Sequence, residues 1–122
     1  MNVQVKIKNL PEIRSAFAKS PRIMTKNLNY AIKKSSGELT RQSQLITPHD
    51  TGRLKSSHEQ RFSNLKATIQ PTAEYAVFVH EGTRFMKARP FLADAAEITE
   101  GYIDAEFEHA VQKTLDEIGR TV

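Results

Sequence analysis

The chain has 122 residues, enough for one domain that buries its own core over residues 1–122. The absence of cysteine excludes disulfides, thiolate metal sites and cysteine nucleophiles, and no apolar run is long enough to span a bilayer, so we expect no membrane contact. The net charge of +4 is unevenly divided, because residues 1–60 carry 11 Lys and Arg against 4 Asp and Glu, whereas residues 61–122 carry 7 against 10. This division favours contact either with nucleic-acid phosphates or, head to tail, with a second copy.

The N-terminal segment alternates apolar and polar residues, with Val3, Val5 and Ile7 on one side. This period of two predicts a strand over residues 2–9. A short helix follows, because three apolar residues then recur at helical spacing and a proline lies in the first turn. Those apolar residues are Leu10, Ile13 and Phe17.

A long helix is predicted next, with Ser20 as N-cap and Pro21 as its first residue, running for about 26 residues to the turn before Pro48. Its one internal weak point is Gly37. A helix of this length needs other elements along it to cover its apolar stripe. The stripe consists of Ile23, Met24, Leu28, Ala31, Ile32, Leu39 and Ile46.

Beyond Pro48 the spacing of the side-chain pattern changes from the helical repeat to a repeat of two residues. Residues 54–61 alternate, residues 65–70 alternate again, and Ser63 and Asn64 lie between them as turn residues, which predicts a β-hairpin that Pro71 ends. The next segment suits either a strand or a short helix, and the helix is favoured because Gly82 would serve as its C-cap. Tyr75, Phe78 and Val79 would anchor that helix to the core.

The last predicted element is a helix from Pro90 through about Ile118, with an apolar face that includes Ile98 and Tyr102 and an acidic opposite face. Together these elements predict the α+β class. A small, mostly antiparallel sheet, made of the N-terminal strand and the hairpin, would pack against the long central helix and the C-terminal helix.

Enzymatic chemistry has little support in the residue pattern. No two histidines have the spacing that lets imidazoles on one helix share a metal, and His49–Asp50 and His80–Glu81 are adjacent pairs whose side chains diverge on a regular element. Phosphate-binding glycine loops and nucleophile motifs are also missing from the sequence. We therefore predict no enzyme, no catalytic residue, no metal and no cofactor. A small hydrolase using His49, Asp50 or His80 is the least favoured hypothesis.

The segment "TPHDTGRLKSS", residues 47–57, is interpreted as a corner between the long helix and the hairpin. Pro48 ends the helix and holds Thr47 extended, Asp50 can accept backbone hydrogen bonds, and Gly52 can take the positive φ that reverses the chain.

Basic residues on the long helix offer a second possibility. Lys26, Lys33 and Arg41 lie about a heptad apart and, with Lys34, could form a ridge that faces phosphates. The ridge has no recognition-helix context and no aromatic platform is expected among its residues, so sequence-specific binding is not predicted. A small, basic, non-specific DNA-binding protein is the alternative function.

Three motifs in order, "TPHDTGRLKSS", "YAVFVHEGT" and "RPFLADAA", closely resemble the gp-ten-like tail-component family of long-tailed bacteriophages and prophages. The resemblance covers roughly residues 20–100. The sequence departs from the family pattern at His49, where a small apolar residue is usual, and at Asp94, where proline is frequent. The residues that match the motifs are Thr47, Pro48, Asp50, Thr51, Gly52, Leu54, Tyr75, Ala76, Glu81, Gly82, Thr83, Arg89, Pro90, Phe91 and Leu92.

The resemblance implies a non-enzymatic morphogenesis protein that acts in head-tail joining or tail completion. We expect a homo-oligomeric ring, hexameric or larger, around the DNA path, with phage neck, tail-terminator and tail-tube proteins as neighbours. Its place would be the virion and, during assembly, the host cytoplasm. Phe85 and Met86 of the connecting loop, residues 83–89, would pack in the core, or the loop would touch a neighbouring subunit or the lumen. Candidate subunit or DNA contacts are Lys26, Lys33, Lys34, Arg41, Arg84, Lys87, Glu106 and Glu108.

Overall fold

The computed structural model describes residue 3, residues 7–48 and residues 52–120, apart from the side chain of Arg120. In chain order the elements over these ranges are α1 (Leu10–Lys19), α2 (Pro21–Ile46), α3 (Arg53–Ser56), β1 (His58–Ser63), β2 (Lys66–Pro71), α4 (Ala76–Glu81) and α5 (Phe91–Arg120). The long central helix, the short helix before Gly82 and the C-terminal helix are confirmed.

The two long helices, α2 and α5, lie side by side and run in opposite directions. Asn27, near the start of α2, donates a hydrogen bond to Thr114 near the end of α5 at 3.0 Å. Further along α2, the ammonium of Lys34 lies 3.2 Å from the carboxylate of Glu106. Residue numbers therefore rise along one helix as they fall along the other, and the end of α2 lies beside the start of α5.

In the second half of α2 the buried residues are small and carry hydroxyls, and they are not those of the predicted apolar stripe. Ser36, Thr40 and Ser43 are buried, whereas Ile46 is 39% exposed, so its predicted place in the core is wrong. The Thr40 hydroxyl donates to the Ser36 carbonyl at 2.8 Å, which satisfies it within its own helix. The hydroxyls of Ser36 and Ser43 instead contact Gln60 and His58 of β1, so this face of α2 lies against the hairpin.

A first apolar cluster lies where the start of α2 meets the end of α5 and where α1 covers both. The pattern assigned Leu10 to the buried side of α1, but Leu10 is 43% exposed. The side of α1 that is buried carries Ile13 and Ala16. The buried members of the cluster are Ile13, Ala16, Met24, Leu28, Ala31, Ala110 and Val111.

The sheet that the described residues form is an antiparallel hairpin of β1 and β2, with His58 opposite Pro71 and Ser63 opposite Lys66. Its turn falls on Asn64 and Leu65, one residue later than predicted. Leu65 has a φ of 56°, and its N–H donates to the side-chain oxygen of Asn29 at 2.6 Å. A side chain of α2 therefore holds the turn in a backbone conformation that leucine seldom adopts.

The first strand begins four residues later than the alternation indicated. Residues 53–56 form the single turn α3, in which Leu54 is buried, and Gly52 precedes it with a φ of 71°. Residues 54–61 contain one aliphatic residue, Leu54. A single apolar position fits the spacing of a strand and of a helical turn equally well, so the sequence could not distinguish them.

The predicted N-terminal strand, with Val5, lies largely outside the described residues. Residues 7–9 have irregular backbone, Ile7 packs on the first cluster, and the N–H of Lys8 lies 3.4 Å from a carboxylate oxygen of Asp104 on α5. The α+β class is confirmed, with a small antiparallel sheet packed against long helices. Within residues 7–48 and 52–120 we find no helix that is both long and apolar enough to cross a membrane.

Replacing Thr114 by valine should lower the free energy of unfolding by about 1–3 kcal/mol, because the buried Asn27 amide loses its 3.0 Å acceptor and keeps only the longer contact of 3.4 Å to Glu117. Thr99→Val is the matched control, since the Thr99 hydroxyl bonds only carbonyls of its own helix, at 2.8 and 3.4 Å. Urea unfolding followed by circular dichroism measures both changes, and equal losses would contradict a role for the Asn27–Thr114 pair.

Candidate functional site

The three motif segments meet in a second apolar cluster, which we call the motif cluster. It consists of buried Leu54, Ala73, Ala76, Phe91 and Leu92. Leu54 comes from the first motif, Ala76 from the second, and Phe91 and Leu92 from the third. Segments separated by more than thirty residues in the sequence therefore share one core.

The corner between α2 and α3 begins with Thr47, which is 1% exposed and follows the last residue of α2. Its backbone is extended, as expected before a proline, and its N–H donates to the Ser43 carbonyl at 3.0 Å. Gly52 has the predicted positive φ. Asp50 and Thr51, together with His49, lie outside the described residues.

His58 connects the end of α2 to the start of the hairpin. Its Nδ1 lies 3.0 Å from the Lys55 carbonyl and 3.2 Å from the Leu54 carbonyl, so Nδ1 carries the proton. Its Nε2 then accepts from the hydroxyl of Ser43 at 2.7 Å. Burial lowers the pKa of His58, against the opposing effect of the two carbonyls. The neutral ring is therefore the form that fits this position.

Phe91, 2% exposed, lies between two histidines. The ring of His58 is 5.6 Å from it and tilted, and the ring of His80 is 5.2 Å from it and edge-on. His80 is itself 5% exposed, and its Nδ1 donates to the carboxylate of Glu81 at 2.9 Å, so the expectation that these two side chains diverge is wrong. Its Nε2 accepts the N–H of Ala93 at 3.3 Å. Because N–H groups in the first turn of a helix have no partner in that helix, His80 serves as a cap for α5.

Gly82 is required by a close backbone approach. Its φ is 80°, and a Cβ at this position would lie 2.7 Å from the nitrogen of Ala88 and 3.0 Å from its Cα. One residue further on, the N–H of Arg89 donates to the carbonyl of Val79 at 2.9 Å. These contacts hold the two ends of the connecting loop together against α4.

Between those ends the loop forms a tight turn. Thr83 and Met86 exchange two backbone hydrogen bonds of 2.9 and 3.2 Å, and the Thr83 hydroxyl accepts the N–H of Phe85 at 3.2 Å. Phe85 is 85% exposed and Met86 is 41% exposed, so the expectation that they pack in the core is wrong. Arg84 lies over the Phe85 ring, 4.6 Å from its centroid. The turn presents an aromatic and a cationic side chain to solvent.

Helix α4 packs on the motif cluster through two of the three predicted anchors. Ala76 and His80 are buried, and Tyr75 and Val79 pack partly against the cluster. Phe78 is 56% exposed, so its predicted role as an anchor is wrong. A turn of six residues gives too few positions for a periodic pattern to fix the buried side.

Two of the basic residues predicted as a ridge on α2 pair with acids of α5. The ammonium of Lys26 lies 3.1 Å from Glu117, and that of Lys34 lies 3.2 Å from Glu106. The hydrogen bond and charge of Glu106 raise the pKa of Lys34, and the hydrogen bond from Lys26 lowers the pKa of Glu117. Glu106, which was expected to contact a neighbouring subunit, is engaged inside the chain.

The remaining ridge residues have other partners. Arg41 pairs with Glu38 at 2.6 Å on the same helix, and Lys33 lies over the ring of Phe62 at 5.8 Å. Tyr30, 57% exposed, lies 5.6 Å from the ammonium groups of both Lys34 and Lys113. The expectation that no aromatic residue lies among the basic ones is therefore wrong.

The one serine–histidine contact with the geometry of a nucleophile and base is between Ser43 and His58, within the described ranges. Ser43 is fully buried, and Nδ1 of His58 faces carbonyls where a catalytic histidine would face a carboxylate. A substrate could not reach the hydroxyl, so the pair serves packing. Over the same ranges no group of three or more His, Asp or Glu residues is arranged to hold a metal ion.

Sequence reasoning missed Ser43, His58 and the capping role of His80. One signal was available for His80, because α5 starts after Arg89 and Pro90, neither of which offers an acceptor oxygen on its side chain. A buried helix start without its own cap requires an acceptor from elsewhere. His58 was correctly predicted as a strand residue, but nothing in the pattern of residues 54–61 indicated its contact with Ser43 of α2.

Compared with known proteins, the chain matches no family model, no curated protein and no solved structure to a significant degree.

Replacing Gly82 by alanine should lower the free energy of unfolding by about 2–5 kcal/mol, because the new Cβ meets the Ala88 backbone at a positive φ. Gly52→Ala has only the backbone cost, about 1–2 kcal/mol, since no atom lies within 4 Å of its Cβ position. Gly37→Ala, in open space within α2, should gain about 1 kcal/mol. Denaturant unfolding measures the order of the three changes in unfolding free energy. A Gly82→Ala variant as stable as the wild type would contradict the close approach of Gly82 to Ala88.

Stability should fall as pH is lowered below about 6.5, the ordinary pKa of histidine. Because the folded pKa of His58 is depressed, the unfolded chain binds more protons in this range, and the contribution is lost progressively as pH falls through the folded pKa. Thermal unfolding of the wild type and His58→Gln between neutral and mildly acidic pH measures the difference. An identical pH dependence in the two proteins would contradict the assignment.

Proposed function

We propose that the chain is a structural morphogenesis protein of a bacteriophage or prophage, a head-tail joining or tail completion component that assembles as a ring around the DNA path. Neck, tail-terminator and tail-tube proteins are its neighbours. The observation that carries the proposal is the convergence of the three family-like motifs in the motif cluster, where Leu54, Ala76 and Phe91 pack together.

The conformational roles of the motif residues support a scaffold over an enzyme. Gly82 permits a close backbone approach, Arg89 returns the loop to α4, and Phe91 fills the space between two histidines. Both ring nitrogens of His80 are engaged in structural hydrogen bonds, which leaves neither for proton transfer in the hydrolase hypothesis. These packing and turn roles support a structural function for the chain.

Non-specific DNA binding is the second candidate, and the surface around Tyr30 favours it. Lys33, Lys34 and Lys113 surround Tyr30 and Phe62, and this combination of cations and exposed rings suits a nucleic-acid backbone and its bases. Against it, Lys26, Lys34 and Arg41 are neutralised by carboxylates of the same chain. Non-specific DNA binding would then be a contact between the inner surface of the proposed ring and the DNA that passes through it.

Inactivating the gene in the phage or prophage that carries it should yield filled heads and separate tails in lysates viewed by negative-stain electron microscopy. Supplying the wild-type protein from a plasmid should restore joined particles, and Gly82→Ala should not. Normal infectious particles from the inactivated phage would contradict the proposal. For the second candidate, the purified protein should retard duplex DNA at low salt with a steep salt dependence.

A further inference from the structure

Two surfaces of the chain combine exposed apolar side chains with charges of a single sign. The first, which we call the basic tip, is the connecting loop with Arg84, Phe85, Met86, Lys87 and Arg89. The second, which we call the acidic patch, is the solvent side of α5 from Asp94 to Glu108, with Asp94, Glu97, Ile98, Tyr102 and Glu108.

The acidic patch has an apolar centre that the sequence pattern assigned to the core. Ile98 is 57% exposed and Tyr102 is 38% exposed, and they lie four residues apart on one side of α5. Gly101 and Ala105 are exposed on the same side of α5, so the uncharged surface extends beyond Ile98 and Tyr102. A stripe of apolar positions at helical spacing that faces water on a long helix indicates a surface that a partner covers.

Two groups of three acids on α5 differ in their partners. Asp104, Glu106 and Glu117 each pair with a lysine of the same chain. Asp94, Glu97 and Glu108 are exposed, and none of them forms an ion pair with a residue in the described ranges. Their charge is therefore available to a cationic partner.

The basic tip is preorganised for contact. Its turn is closed by the two backbone hydrogen bonds between Thr83 and Met86, and Arg84 lies over the Phe85 ring. Arg84, Lys87 and Arg89 form no ion pair with any residue that the structure describes. An exposed aromatic ring on a held turn loses little conformational entropy on binding, which favours its use as an anchor.

We propose that the basic tip of one copy docks on the acidic patch of a second copy, so that Phe85 and Met86 cover Ile98 and Tyr102 while the cations face Asp94, Glu97 and Glu108. The inference rests on the proposed ring function and names its subunit contact. The occupant is a second copy because the chain itself carries both complementary surfaces. Since each contact uses two different surfaces, a pair of bound copies keeps one free tip and one free patch, and head-to-tail addition closes into a ring when the rotation permits.

The experiment is a charge exchange between copies. One variant carries Arg84→Glu with Lys87→Glu, and the other carries Asp94→Lys with Glu97→Lys. Each alone places like charges across the contact, and it should raise the dissociation constant by about tenfold or more in light scattering at several concentrations. An equimolar mixture should restore association, because each altered tip then meets a complementary patch. Lys19→Glu with Arg22→Glu, two exposed cations outside both surfaces, is the matched control and should associate as the wild type does.

Salt adds a second measurement, since raising it from about 0.1 M to about 1 M shortens the screening length from about 10 Å to about 3 Å. Self-association of the wild type should weaken, and the differences in dissociation constant among the variants should become smaller. Circular dichroism establishes that each variant is folded. Association unchanged in either altered protein, or no recovery in the mixture, would overturn the proposed contact.

Failure here is distinguishable from failure of the proposed function. A strictly monomeric wild type overturns the self-contact, whereas the proposed function depends on the separated heads and tails in the gene-inactivation experiment. If Arg84→Glu with Lys87→Glu reduces retardation of duplex DNA and leaves association intact, the tip faces DNA and the subunit contact is overturned. If the same change reduces association alone, the contact is supported.

Discussion

The close antiparallel packing of α2 on α5 is the contact on which the other elements depend. The Asn27–Thr114 hydrogen bond and the Lys34–Glu106 ion pair join the two helices, and the buried Thr114 hydroxyl also donates to a carbonyl of its own helix. At one end of the pair, α1 completes an apolar cluster around Met24. At the other end, the space left beside the start of α5 is filled by the hairpin, α3 and α4. The molecule is thus a long two-helix frame with one apolar cluster at each end.

The second cluster holds the segments that carry the family-like motifs, and histidines connect it to the frame. His58 accepts a hydrogen bond from Ser43 of α2, and His80 accepts one from the first turn of α5. Both contact the ring of Phe91. Imidazoles serve here as flat side chains that fill space and still satisfy buried polar groups. Of the three residues in the hydrolase hypothesis, the structure describes His80, and it connects α4 to the start of α5.

Long, strongly periodic segments could be predicted from the sequence, and short ones could not. The central helix was placed from Pro21 to the turn before Pro48 because twenty-six residues carry a repeated stripe between two prolines. Residues 54–56 were assigned to a strand because their one apolar residue, a leucine, fits the spacing of a strand as well as that of a helix. Ile98 and Tyr102 were assigned to the core since periodicity shows that a residue is apolar, not what covers it. The buried serines of α2 gave no apolar signal, so the true contact face of its second half was missed.

The clamped ends of the connecting loop separate two properties of the chain. Gly82 against Ala88 and Arg89 against Val79 fix where the loop leaves and rejoins the fold, and the exposed residues between them bury nothing in the core. Changes at the tip therefore leave the folding free energy nearly untouched. Diverging copies of such a chain can change the exposed surface of this loop by exchanging a few residues, without any change to their common framework.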